Sequence, residues 1–292
     1  MSSTWTEYLA FGVMHKPTKT AIRVGQYNVL CPAYGVKWGE REACLDWHSE
    51  TSHGASNWSI RWPALLRVIG SAKWDILALE EIEDSVRDDV TTGTKELGLN
   101  LVWFDHPARL DALGLCYSPE VFSVRGISSR GAKATVGRVD LLHKISAMTV
   151  SVLVTHQRGH CASQLAELCD FADDQPAHDI TIICGDFNED FGRDAGTRLT
   201  RDPSSPFTTL PRDPSTEPTY SRPNHKMEPG QSSGKGKIDY IFARSNRKHI
   251  SLHLQRDDAS QRSLLMSHAP CRETGAWPSD HGLEALTVHI KS

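Results

Sequence analysis

The ends of the short apolar runs constrain this chain most. In "ITIICGDFNED" (180–190), five residues from Ile180 to Cys184 read as a buried strand, and Gly185, Asp186 and Asn188 follow at once. Apolar runs this short, bounded by turn formers, fit fully buried strands better than helices. One such ending carries little, because Asp and Asn close strands everywhere as turn residues. Here the ending recurs. Glu81 ends "DILALEEI" (75–82), His156 ends "ISAMTVSVLVTHQ" (145–157), and Asn28 lies near the end of "AIRVGQYNVL" (21–30). Asp239 lies early in "IDYIFA" (238–243), and Asp280–His281 precede "LEALTVHI" (283–290). In layered α/β proteins, sites gather at strand ends and in the loops that join them.

Between these strands the periodicity changes. Residues 59–72 are apolar at helical spacing, with Pro63 near the first turn, where proline is tolerated. A second helix is expected over 85–98, stopped by Gly98, and a third over 163–172. A short strand is expected over 113–117. Residues 202–224 hold six of the 15 prolines and read as a loop, since strand signals resume beyond them. The expected organisation is an N-terminal extension (1–20) and one α/β domain (21–292).

Charge and cysteine content exclude some classes. A net charge of −4 argues against a globally basic nucleic-acid binder and leaves room only for a local phosphate surface. No run of 18 apolar residues is present, so no membrane span is expected. The N-terminus shows no basic segment followed by an apolar core, so the expectation is no signal peptide and a cytoplasmic location. The seven cysteines form no CxxC pair and read as reduced, buried thiols without a disulfide partner. His156, His160 and Cys161 have a spacing that can bind zinc, but no Glu lies in the motif and His156 ends a strand, so no zinc is expected.

Glu81, Asp186, Asp239 and Asp280 gathered in one pocket would repel. Two carboxylates about 4 Å apart cost about 4 kcal/mol at an effective dielectric near 20. A hard divalent cation removes that conflict and prefers oxygen ligands. Magnesium is the expected cofactor, with manganese the alternative. His281 beside Asp280 can move protons, and Asp239 can hold it in one tautomer. Asn28, Asn188 and His156 can donate hydrogen bonds to a phosphate oxygen. With no Ser or Cys nucleophile in the set, the chemistry indicated is attack of metal-assisted water on a phosphorus ester.

The stretches "GQYNVL", "DILALEEIE", "VTHQ", "ICGDFNED", "KIDYIFA" and "WPSDHGLEAL", in that order, resemble the endonuclease/exonuclease/phosphatase superfamily over roughly residues 21–290. The resemblance implies a two-sheet β-sandwich flanked by helices. It implies Glu81 and Asp280 as metal ligands, and Asp186, Asn188, His281, His156 and Asp239 as catalytic residues. Asn28, Arg61 and Tyr220 are the implied substrate-binding residues. "NVLCPAYG", "NWSIRWPALLRVI" and "DALGLCY" resemble the deadenylase-like branch that includes nocturnin, the Angel proteins and the 2',5'-phosphodiesterases. Departures from that branch are Glu80 where Gln is usual, Gln157 where Leu is usual, Cys161 where Arg is usual, and a long "RPNHKMEPGQSSGKGK" (222–237) without the Phe that stacks on adenine.

Two basic stretches could form a phosphate-tracking rim or plain solvated loops. Residues 123–139 carry Arg125, Arg130, Lys133 and Arg138 with no acid, and residues 222–248 carry seven Lys or Arg. The expected function is a monomeric magnesium-dependent phosphodiesterase acting on RNA or a nucleotide-like phosphoester, leaning to a 3'-end RNA exonuclease. The alternatives are a phosphatase on a small or lipid-linked phosphoester, and a non-catalytic binding module.

Overall fold

A computed structural model describes residues 20–33, 58–105, 109–131, 136–158, 162–174, 178–188, 199, 207–209, 220–223, 232–236, 238–256, 279, 281 and 283–291. The N-terminal extension up to residue 19 lies outside these residues, as do Asp280, His160, Cys161, Lys133 and most of the proline-rich stretch 202–224.

Strand β1 (Thr20–Asn28) is followed by helix α1 (Trp58–Ile69), strand β2 (Ile76–Glu83) and helix α2 (Arg87–Glu96). Strands β3 (Asn100–Phe104), β4 (Asp111–Tyr117), β5 (Phe122–Arg130), β6 (Val136–His143) and β7 (Thr149–His156) then follow one another. Helix α3 (Ala162–Asp173) leads to β8 (Ile180–Asp186), followed by β9 (Tyr220–Pro223), β10 (Ser232–Gly236), β11 (Asp239–Ser245), β12 (Ser251–Arg256) and β13 (Glu284–Lys291). One sheet has the order β12-β13-β1-β2-β4-β3, the other β11-β8-β7-β6-β5, and β9 and β10 form a separate pair. Each large sheet contains one parallel pair, β1 with β2 and β7 with β8.

Strand periodicity decides what each face meets. The first sheet turns Ile22, Val24, Ile76, Ala78, Leu113, Leu115, Leu286, Val288 and Ile290 inward. The second answers with Val150, Val152, Val154, Ile180, Ile182 and Cys184, and the two rows close one apolar core between the sheets. The outer face of the first sheet (Tyr27, Leu77, Leu79, Cys116) packs on Leu65, Val68 and Ile69 of α1 and Val90 of α2. The outer face of the second (Leu153, Ile183, Tyr240, Phe242) packs on Leu168, Cys169 and Phe171 of α3. The result is the expected two-sheet sandwich with helices outside both sheets. Among the described residues no helix is long and apolar enough to cross a membrane, and Cys31, Cys116, Cys169 and Cys184 are buried cysteines outside any disulfide.

Three sequence expectations change. The run 145–157 becomes a strand only from Thr149, because a turn with Ala147 at φ 56° precedes it. The stretch expected as a loop over 202–224 ends in strand β9, which pairs with β10. The basic stretch 123–139 is largely strand, not loop. β5 lies at a sheet edge with Arg125, Ser128, Ser129 and Arg130 exposed, so it has no apolar run to announce it. Arg138 is buried and donates to both carboxylate oxygens of Asp140 at 2.8 and 3.0 Å, while Arg130 pairs with Asp174. These two cations are already committed to acids.

Candidate active site

The site is the place where the inward rows of the sandwich turn polar. In β1 the row Ile22, Val24 continues to Gln26 and Asn28; in β2 the row Ile76, Ala78 continues to Glu80. In β7 it ends on His156, in β8 on Asp186, and in the oppositely directed β4 and β11 it begins at Asp111 and Asp239. Pairing then aligns these ends. His156 and Asp239 both stand opposite Asp186, on one rung of the second sheet, and Asn28 stands opposite Glu80 in the first.

Backbone irregularities place the remaining groups. The β2–β4 register shifts between Leu79 and Ile82, and Glu81 within that bulge has φ 60°. A bulge re-aims a side chain, and here Glu80 and Glu81 are both buried. Leu30 (φ 58°) and Asn188 (φ 49°) are also left-handed. Asn tolerates that conformation, whereas Leu and Glu hold it at a cost of about 1–3 kcal/mol. Surrounding contacts hold Leu30: its N–H donates to Asn28 Oδ1 at 2.9 Å, and Arg61 donates to its carbonyl at 2.9 Å and to that of Val29.

The polar groups converge closely. Asn28 Nδ2 donates to Glu81 Oε1 (2.9 Å) and Asp186 Oδ2 (3.0 Å), and the Cys31 N–H donates to Glu81 Oε2 (3.0 Å). The Asn188 N–H donates to Asp186 Oδ1 at 2.7 Å. His281 Nδ1 lies 3.0 Å from Asp239 Oδ2, and the Nε2 atoms of His156 and His281 each lie 3.7 Å from Asp186 Oδ2. His156 Nδ1 faces Asp111 Oδ2 at 3.5 Å and Arg109 Nη1 at 3.3 Å. Ser279 ties the last motif to the first, donating to the Asn28 carbonyl at 2.7 Å and accepting the His281 N–H at 3.1 Å.

Charge is unbalanced. Burial raises Asp186 from its ordinary 3.8 to about 6, with His281 pulling down and Asp239 pushing up. Burial, reinforced by Asp239, holds Glu80 well above the usual carboxylate range. Burial works against a charged His156, but Asp111, Asp186 and Glu81 outweigh it and raise its pKa. Ligand atoms of Glu81, His156 and Asp186 lie within 4.8 Å of one another, as do those of Asp186, Asp239 and His281. Among the described residues no Lys or Arg forms an ion pair with Glu81 or Asp186. A buried, oxygen-rich set in which the pKa of Asp186 is raised fits a hard divalent cation.

Seven expected residues therefore meet: Asn28, Glu81, His156, Asp186, Asn188, Asp239 and His281. Asn28 spends its amide hydrogens on two carboxylates, so it orients them. Arg61 is fully buried and supports the backbone at Val29 and Leu30. Tyr220 opens β9 opposite Gly236, and Asp280 lies outside the described residues. Gln26, Arg109 and Asp111 join the site without having been expected there. Gln26 and Asp111 share the inward parity of Val24 and Leu113; Arg109 has no comparable signal.

The Endonuclease/Exonuclease/phosphatase family matches residues 25–281 of the chain. No curated protein sequence matches it. The chain is similar in structure to ANGEL2, a 2',3'-cyclic phosphatase, in complex with adenosine-2',3'-vanadate (15% identity, 94% of this chain, 96% of that chain, TM-score 0.63). It is similar to the human Nocturnin catalytic domain with bound sulfate (19%, 94% and 98%, TM-score 0.62). It is also similar to truncated Caenorhabditis elegans TDP2 (16%, 93% and 98%, TM-score 0.58). At these identities the likeness is one of fold.

Proposed function

The chain belongs to the endonuclease/exonuclease/phosphatase family of phosphoric ester hydrolases, and we propose that it hydrolyses a nucleotide-type phosphoester, foremost at the 3' end of RNA. The observation that carries this reading is the buried group of Glu81, Asp186, Asp239, His156 and His281 at the polar end of the sandwich. The adenosine vanadate of ANGEL2 and the sulfate of Nocturnin support a phosphorus centre on a nucleotide.

Glu81 would hold magnesium or manganese, with Asp280 as the second ligand. A cation there supplies Lewis acidity and lowers the pKa of water. Asp239 accepts the Nδ1 proton of His281, leaving Nε2 to face Asp186 Oδ2. Asp186 then orients the attacking water, His281 takes its one proton at Nε2, and Asp239 stabilises the imidazolium that results. Asn28 keeps the Glu81 and Asp186 carboxylates in place. His156 and Arg109 face the charge that grows on the phosphoryl oxygens, while Asn188, whose amide donates to the Gln157 carbonyl (3.0 Å) and to Asp186 Oδ2 (3.3 Å), holds the Asp186 carboxylate.

Among the described residues, Arg109 is a cation that touches this group, through His156 and through an ion pair with Asp111 at 3.7 Å. Arg109→Ala is expected to raise KM about tenfold, the order of a lost hydrogen bond to a charged group, with a smaller change in kcat. Steady-state kinetics check this.

A second reading, a small phosphoester, is favoured by the commitment of Arg130 and Arg138 to Asp174 and Asp140, which removes two cations from a polymer-tracking rim. Labelled RNA oligomers, 2',3'-cyclic nucleotides and inositol phosphates, each offered with magnesium, separate the two. Stepwise RNA shortening supports the first reading. Intact RNA with phosphate ester cleavage in a small substrate supports the second.

A further inference from the structure

We propose that Gln26 is a positioning residue for this reaction, its side-chain amide fixing the Asp239 carboxylate that orients His281. The proposal rests on the function proposed above.

Gln26 lies on the inward row of β1 and is fully buried. Its Nε2 donates to Asp239 Oδ1 at 2.9 Å and to Glu80 Oε2 at 2.9 Å. The contact with Asp239 assigns the amide nitrogen, since the flipped amide would set its oxygen against Asp239 Oδ1. Gln26 and Glu80 belong to the first sheet and Asp239 to the second, so the amide bridges the sandwich beneath the site.

The two oxygens of Asp239 are thereby divided. Oδ1 receives Gln26, and Oδ2 faces His281 Nδ1 at 3.0 Å. With both ends engaged, the carboxylate cannot turn about its last torsion without breaking a buried contact. That constraint passes to the imidazole and aims Nε2 at Asp186. Supporting hydrogen bonds of this kind are typically worth about 10–100-fold in activity.

The test uses Gln26→Met, which keeps length and removes the donor, with Gln26→Leu as a second variant if the first does not fold. The expected result is a kcat about tenfold lower, with KM within about twofold. In an Asp239→Asn background the same change is expected to have little further effect, because Gln26 acts through Asp239. The downfield proton resonance of His281 Nδ1–H, assigned by its loss in His281→Ala, is expected to shift in Gln26→Met. An unmoved resonance, or an equal loss of kcat in both backgrounds, overturns the proposal. The resonance is read without substrate, so its outcome stands apart from failure of the hydrolase reading, which would show as no turnover by the unaltered chain.

Discussion

Asp186→Asn is expected to lower turnover about 10²–10³-fold, the usual loss for an electrostatic group aimed at a transition state. Asp186 stands between the two imidazoles and accepts from Asn28 and Asn188. The amide keeps the shape and removes the charge and one acceptor oxygen. The same variant has a stability signature without metal. Burial raises the folded pKa from 3.8 to about 6, so the folded state favours the neutral acid. That stabilisation is complete below the lower value and is lost as pH rises through the higher one. Relative to Asp186→Asn, the unaltered protein therefore loses stability between those two values, by roughly 1.4 kcal/mol for each pH unit crossed. Chemical denaturation of both proteins in chelator across that window checks the sign; a flat difference contradicts it.

Gly185→Ala is expected to damage both fold and site. A Cβ at Gly185 would meet the Thr155 carbonyl oxygen at 2.0 Å, and that atom belongs to backbone that cannot swing away. The contact lies in the parallel β7–β8 pairing, one residue before His156 and Asp186 align. The expected cost is about 3 kcal/mol or more, the upper end of overpacking, because the strands themselves must part. Thermal unfolding measures it, and a melting temperature within a degree or so of the original would contradict the close approach.

Much of this was legible in the sequence because buried strands are unbroken apolar runs bounded by turn formers. The rows ending in His156 and Asp186 needed only their period. β3, β5 and β12 were not legible: each is half exposed, and their partners rather than their composition define them. Within the site, motif order indicated Glu81 but not its left-handed backbone, which arises from the β2–β4 register. Asp111 and Gln26 could have been found by extending the inward parity of their strands. Arg109 reaches His156 across 47 residues because one sheet packs on the other, which no local pattern encodes.

The most direct measurement is phosphoester hydrolysis by the purified chain and by Glu81→Gln, each in magnesium, in EDTA, and in EDTA followed by excess manganese. The expected result is turnover in magnesium, none in EDTA, recovery with manganese, and a rate about 10²–10³-fold lower for Glu81→Gln wherever metal is present. Undiminished turnover in EDTA, or in Glu81→Gln, would contradict a metal-dependent site at the polar end of the sandwich.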